Sequence, residues 1–279
     1  MNSVTTTLLH RLLEDRPPPD SGSDVIVRSH LELRGSWYSS FSGPLVVPDT
    51  VLAACGRALP AEHRVAGAEL EVTVVTSGGA GGLSALRGRS VPGLRVTAAE
   101  TELRDLDDLA ANAARVAAAA AELGEVQVLV TLPDAPGWVR AVELVEAAGL
   151  AANVRADAAA WAEQAAAVRL AERLSVLVEA DLAFCLTPEP ASWPTGPGRA
   201  VAALTMLVEA LVDGADPAEA AELLVLADPP RVRAGLERWD EATATRVRRR
   251  LRAVRCSPAA VVDDLVTLGL LGAPRVPAS

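Results

Sequence analysis

The stretch Asp105 to Asp157, "DLDDLAANAARVAAAAAELGEVQVLVTLPDAPGWVRAVELVEAAGLAANVRAD", decides how the rest of the chain is read. Leu106, Leu109, Ala113, Val116, Ala120 and Leu123 recur at steps of three and four, and Gly124 stops the pattern, which predicts a helix with one apolar face to bury. The run "VQVLVTLP" (126–133) follows, apolar throughout and too short for a helix. "APGWVRAVELVEAAG" (135–149) repeats the helical pattern, with Gly149 as its stop, and leads directly into "LAANVRAD" (150–157). Helix, strand, helix, strand is the grammar of a parallel sheet, whose strands read as continuous apolar runs because helices cover them.

The same alternation extends in both directions. Further strands are predicted at 43–48, 69–78, 94–103, 182–188 and 251–257, and "PAAVVDDLVTLGLLG" (258–272) reads as a closing helix. About seven units fit, so the fold expected is α/β, a (β/α)8 TIM-barrel-like architecture, with an open doubly wound sheet as the alternative. Residues 196–250 hold several helices and one ambiguous strand, "ELLVLAD", and the barrel is expected to be irregular there. The organisation expected is an N-terminal extension over residues 1–42 packed on the barrel, a barrel domain over 43–272 and a tail over 273–279.

Composition removes whole chemistries. The 26 basic residues are all arginine; without lysine there is no Schiff base, no lysine base and no phosphate-loop lysine. A formal charge of -10 opposes non-specific binding to nucleic acid or to an anionic membrane, and no apolar run approaches membrane-spanning length. A cytosolic (cytoplasmic) location is expected. Cys55, Cys185 and Cys256 lack any C-x-x-C spacing and predict reduced thiols. His10, His30 and His63 fall at no ligand spacing, so neither a metal nor a cofactor is expected.

The segments "LELRGSWYSSFSGPLVVPDTVLAA", "VTVVTSGGAGG", "LRDLDDLAANAARV" and "CSPAAVVDDLVTLGLL" resemble, in order and spacing, a family of actinobacterial hypothetical proteins with a barrel-like α/β pattern and uncharacterised function. The resemblance implies functional groups on the fifth and sixth strands of that pattern. Of those signatures Arg155, Cys185 and Thr187 survive, in "NVRAD" and "FCLTPEPASW". The family's lysine and paired histidines do not, so this chain reads as a divergent member.

Candidate site residues are those at strand ends. Arg155 offers a guanidinium that can grip a carboxylate or phosphate in two-pronged fashion, or serve in a structural ion pair. Glu100 and Glu102 alternate onto one side of their strand, with Glu102 nearer the mouth as a general acid or base, unless it pairs with Arg104 or Arg155. "TSGGAGG" reads first as a flexible turn, and second as a cradle in which Ser77, Gly78 and Gly79 present amides to an anion. Cys185 is either a nucleophile stabilised by Arg155 or a buried small hydrophobe, with Thr187 beside it. Asp105 and Asp108, like Asp263 and Asp264, read as caps at helix starts. "RVRRRLRAVR" reads as the solvated face of a helix.

The function expected is binding of a small anionic metabolite at the C-terminal strand ends, with Arg155 and the Ser77–Gly79 turn positioning it and Glu102 and Cys185 as catalytic candidates. The alternative is a catalytically degenerate barrel that acts as a scaffold for a protein partner. A homodimer is compatible with either.

Overall fold

A computed structural model describes residues 3–64, 69–189, 193 and 196–272. The strands are β1 (Leu13–Asp15), β2 (Ser42–Pro48), β3 (Leu70–Val75), β4 (Leu94–Glu102), β5 (Gln127–Thr131), β6 (Ala151–Asp157), β7 (Phe184–Glu189) and β8 (Leu251–Cys256). They pair in parallel, in chain order, and close into a barrel. Closure is made by β1 against β8, with Leu13 opposite Val254, Glu14 opposite Arg255 and Asp15 opposite Cys256. The (β/α)8 expectation is met.

Helices cover the outside: α1 (Ser3–Leu9), α2 (Ser23–Arg34), α3 (Leu52–Ala58), α4 (Gly79–Ser84), α5 (Leu109–Ala120), α6 (Trp138–Ala147) and α7 (Gln164–Glu179). They continue as α8 (Pro197–Val212), α9 (Pro217–Val225), α10 (Pro229–Glu237), α11 (Glu241–Arg250) and α12 (Pro258–Thr267). Each lays its apolar stripe on the barrel or on a neighbouring helix. On α7 the stripe includes Leu170, Leu174 and Leu177, each contributing roughly 1.5–3 kcal/mol by leaving water. Val74, Leu129 and Phe184 are buried, as strand residues should be.

The structure corrects the sequence reading in several places. Residues 1–42 are not merely an extension: they supply β1, which the barrel needs to close. Its three residues are too few to show alternation, and Glu14 does not look apolar because it is paired with Arg255 in the interior at 3.0 Å. The expected tail, 273–279, lies outside the described residues. "ELLVLAD" is not a strand, and its first four residues end α9: Asp216 caps that helix by accepting from the Ala218 and Glu219 amides, and Ala220, Ala221 and Leu224 form its buried face. Among the described residues the insertion between β7 and β8 is four helices in place of one.

Three cap assignments also move. Asp108 caps α5, accepting from the Ala111 amide at 2.9 Å, whereas Asp105 pairs with Arg115. Asp263 and Asp264 sit in the second half of α12, not at its start. Asp264 instead accepts from the Arg199 amide at 2.9 Å, satisfying an orphan N–H in the first turn of α8. The arginine-rich run divides, with α11 ending at Arg250 and β8 beginning at Leu251.

Candidate functional site

The barrel interior departs from the branched apolar layers usual in this architecture. Alternation along β4 turns Ala98, Glu100 and Glu102 inward, and the strands around them send polar groups to the same centre. Glu100 Oε1 accepts from Thr131 Oγ1 at 2.5 Å and from Asn153 Nδ2 at 3.1 Å. Thr187 Oγ1 donates to Asn153 Oδ1 at 2.9 Å. Arg255 donates through Nε to Glu14 and pairs through Nη1 with Glu100. All six residues are buried. Burial pushes the Arg255 pKa down while Glu14 pulls it up. With carboxylates on both sides, this guanidinium is held as a cation that ties β1, β4 and β8 together.

One layer above, at the C-terminal mouth, a chain of opposite charges crosses the opening. Arg155 Nη1 donates to Glu102 Oε1 at 2.9 Å, and Arg155 Nη2 reaches Glu102 Oε2 at 3.4 Å. Arg155 Nε lies 3.5 Å from Glu189 Oε1, which in turn lies 3.7 Å from Arg16. The Arg155 side chain is 41% exposed, so this pair is a rim feature and not a buried lock. Beside it lies a cavity of about 190 Å3 lined by Asp49, Ser77, Glu102, Arg104 and Arg155, with Glu100 at its floor. Arg104 has its backbone amide bonded to Asn112, and its guanidinium has no carboxylate partner among the described residues.

The residues singled out from the sequence are thus only partly brought together. Arg155, Glu102 and Ser77 meet at one cavity. Ser77 gives both its amide and its hydroxyl to Asp49 Oδ2, at 3.0 and 3.1 Å, so its amide already holds an internal carboxylate. Gly78 and Gly79 do not line the cavity; they make the turn into α4, where Gly79 takes φ +58°. Thr187 belongs to the buried layer beneath Arg155.

For Cys185 the structure agrees with the buried, small-hydrophobe reading and not with the nucleophile. It stands opposite Asn153, with Arg155 opposite Thr187, which sets the thiol one layer further down than a C-terminal mouth residue. It packs with Ala98, Leu129, Ala151 and Ala253 near the N-terminal end of the barrel. Burial first, then the Glu14 charge, raises its pKa well above the ordinary thiol value. A protonated thiol without a base is not a nucleophile at neutral pH.

Sequence reasoning missed Glu14, Thr131, Asn153 and Arg255 as one network, and Arg104 as a cavity group. The available signal was a polar residue at the inward position of successive strand centres: Asn153 two before Arg155, and Arg255 two after Ala253.

Among the described residues no group of three or more His, Cys, Asp or Glu side chains is placed to hold a metal ion, and no helix is long and apolar enough to cross a membrane. The class defined by fold and interior is a closed parallel (β/α)8 barrel with a charged centre and an ion-paired C-terminal mouth. Compared with protein-family models, with curated proteins and with solved structures, the chain matches none.

Proposed function

We propose that the C-terminal mouth binds a small anionic metabolite between Arg104 and Arg155. The observation that carries this reading is the cavity in which a guanidinium without a carboxylate partner, Arg104, faces a half-exposed one, Arg155, whose partners are rim carboxylates. An incoming carboxylate or phosphate gains charge-assisted hydrogen bonds from both. Exchange with Glu102 is cheap because exposed ion pairs are worth only about 0–1 kcal/mol.

Displacement leaves Glu102 beside the ligand and in need of a donor. The preferred ligand therefore carries a hydroxyl or amino group next to its anionic group, as 2-hydroxy carboxylates do. In an enzymatic version of this reading Glu102 is the base for a proton on that donor atom, with Arg104 and Arg155 fixing the anion. The cavity volume restricts the ligand to a few heavy atoms.

Calorimetric titration with inorganic phosphate, glycolate and lactate tests the reading. Arg155→Ala and Arg104→Ala should each cost about 1.5–3 kcal/mol of binding, the scale of a hydrogen bond to a charged group, with the fold intact because both side chains are at the surface. Wild-type protein that binds none of these anions, or variants that bind them equally well, would contradict it.

A further inference from the structure

The N-terminal end of the barrel is also open. Its innermost layer is made of small side chains, Ala98, Ala151, Cys185 and Ala253, around Leu129. A cavity of about 350 Å3 lies against that layer, against about 190 Å3 at the other mouth. This size falls within the range of small-molecule sites, roughly 300–1,000 Å3.

The backbone is shaped around it. Three strand pairings carry one residue more on one strand than on its partner: Leu13–Asp15 faces Ser42–Leu45, Val72–Thr73 faces Val96–Ala98, and Phe184–Cys185 faces Leu251–Ala253. The inserted residues of the last two are Thr97 and Arg252, and Pro44 falls within the first. All three line the cavity. Such bulges bend a strand and re-aim a side chain, and they cluster at barrel rims and beside sites. Here the bulge on β8 brings Arg252 to the opening, where strict alternation from Ala253 would have sent it outward.

The charge of the opening is unbalanced. Arg11, Arg248 and Arg252 line it. Arg11 is paired with Glu71, which Arg95 shares. Arg248 donates only to neutral carbonyls, those of Leu251, Arg252 and His10. Neither Arg248 nor Arg252 has a carboxylate partner among the described residues. The carboxylate at the inner end, Glu14, is taken by Arg255. Burial lowers the Arg248 pKa to about 10 and the nearby Arg252 charge pushes the same way, yet at neutral pH Arg248 remains a cation. An anion between them removes a repulsion as well as adding hydrogen bonds.

We infer that the N-terminal mouth is a second ligand site, for a small organic anion whose carboxylate or phosphate head lies between Arg248 and Arg252 and whose short uncharged body rests on Ala98, Leu129 and Ala253. Glu14 sets the polarity of the ligand: a charge carried deeper would meet a carboxylate, so the head stays at the rim. The site is independent of the one proposed at the C-terminal mouth.

The test uses n-butyl phosphate and inorganic phosphate, titrated calorimetrically into full-length protein carrying Arg155→Ala, which weakens the opposite mouth. The Arg155→Ala protein should bind n-butyl phosphate more tightly than inorganic phosphate. Adding Arg252→Ala, at an exposed side chain, should weaken n-butyl phosphate at least about tenfold. Adding Ala98→Leu, which fills the floor, should abolish the preference for the butyl ester; should that variant not fold, the Arg252→Ala result decides alone. Failure of Arg155→Ala protein to bind n-butyl phosphate, or binding unchanged by Arg252→Ala, would overturn the inference.

Discussion

Cys185 and Arg155 lie on neighbouring strands two residues apart in register, about 6.6 Å along the strand direction. That offset assigns one to the N-terminal cavity and the other to the C-terminal mouth. The sequence suggested a strand from Leu182, which would have raised Cys185 toward its far end. The structure starts β7 at Phe184, because Asp181 takes a positive φ of 55° and Leu182 and Ala183 belong to the turn out of α7. Nothing in the residue order announces that two-residue delay. The thiols do make a checkable statement about pH. Burial raises Cys55, Cys185 and Cys256 above the ordinary value of 9.0. The unfolded chain loses these protons near that value and the folded chain only higher, so the folded state holds more protons and stability falls as pH rises past about 9. Each thiol contributes a slope of up to about 1.4 kcal/mol per pH unit. Urea unfolding between pH 7 and 10.5 should show that decline, and Cys256→Ala should show a shallower one. Equal slopes in the two proteins would contradict the assignment.

Elements were legible where their pattern was long. Seven of the eight strands and the helices α5 and α6 follow from periodicity alone, since each buries a continuous face. β1 escaped because three residues carry no period, and the α8–α11 insertion was blurred because "ELLVLAD" is apolar enough for either state. Its caps were the better guide: Asp216, Asp228 and Asp240 each precede a helix and accept amide hydrogens in the first turn. The contact that seats α8 on α12 depends on Gly198. A Cβ there would stand 2.7 Å from the Val261 carbonyl oxygen and 2.8 Å from the Leu265 amide nitrogen, both backbone atoms. The two helices would have to part. Gly198→Ala should therefore lower unfolding free energy by about 1–3 kcal/mol, as overpacking does, with chemical denaturation as the measurement. An unchanged midpoint would show that this helix pair yields more easily than its packing suggests.

A chain with a formal charge of -10 places arginines at both ends of its barrel and one buried arginine, Arg255, between Glu14 and Glu100 at its centre. The fold was readable because burial imposes a pattern on many residues at once. The sites were readable only in part, because a cavity depends on which inward positions are small, which pairings slip by one residue and which guanidinium lacks a partner. Arg155 and Glu102 could be paired from the sequence since they end parallel strands on one rim; Arg104 and Arg252 could not. The central proposal is that Arg104 and Arg155 receive an anion at the C-terminal mouth. An NMR titration that follows the arginine Nε–H signals, assigned through Arg104→Lys and Arg155→Lys, tests this directly with lactate or inorganic phosphate. Both signals should shift saturably, with a common dissociation constant. Signals of Arg104 and Arg155 that stay fixed at saturating anion would contradict it.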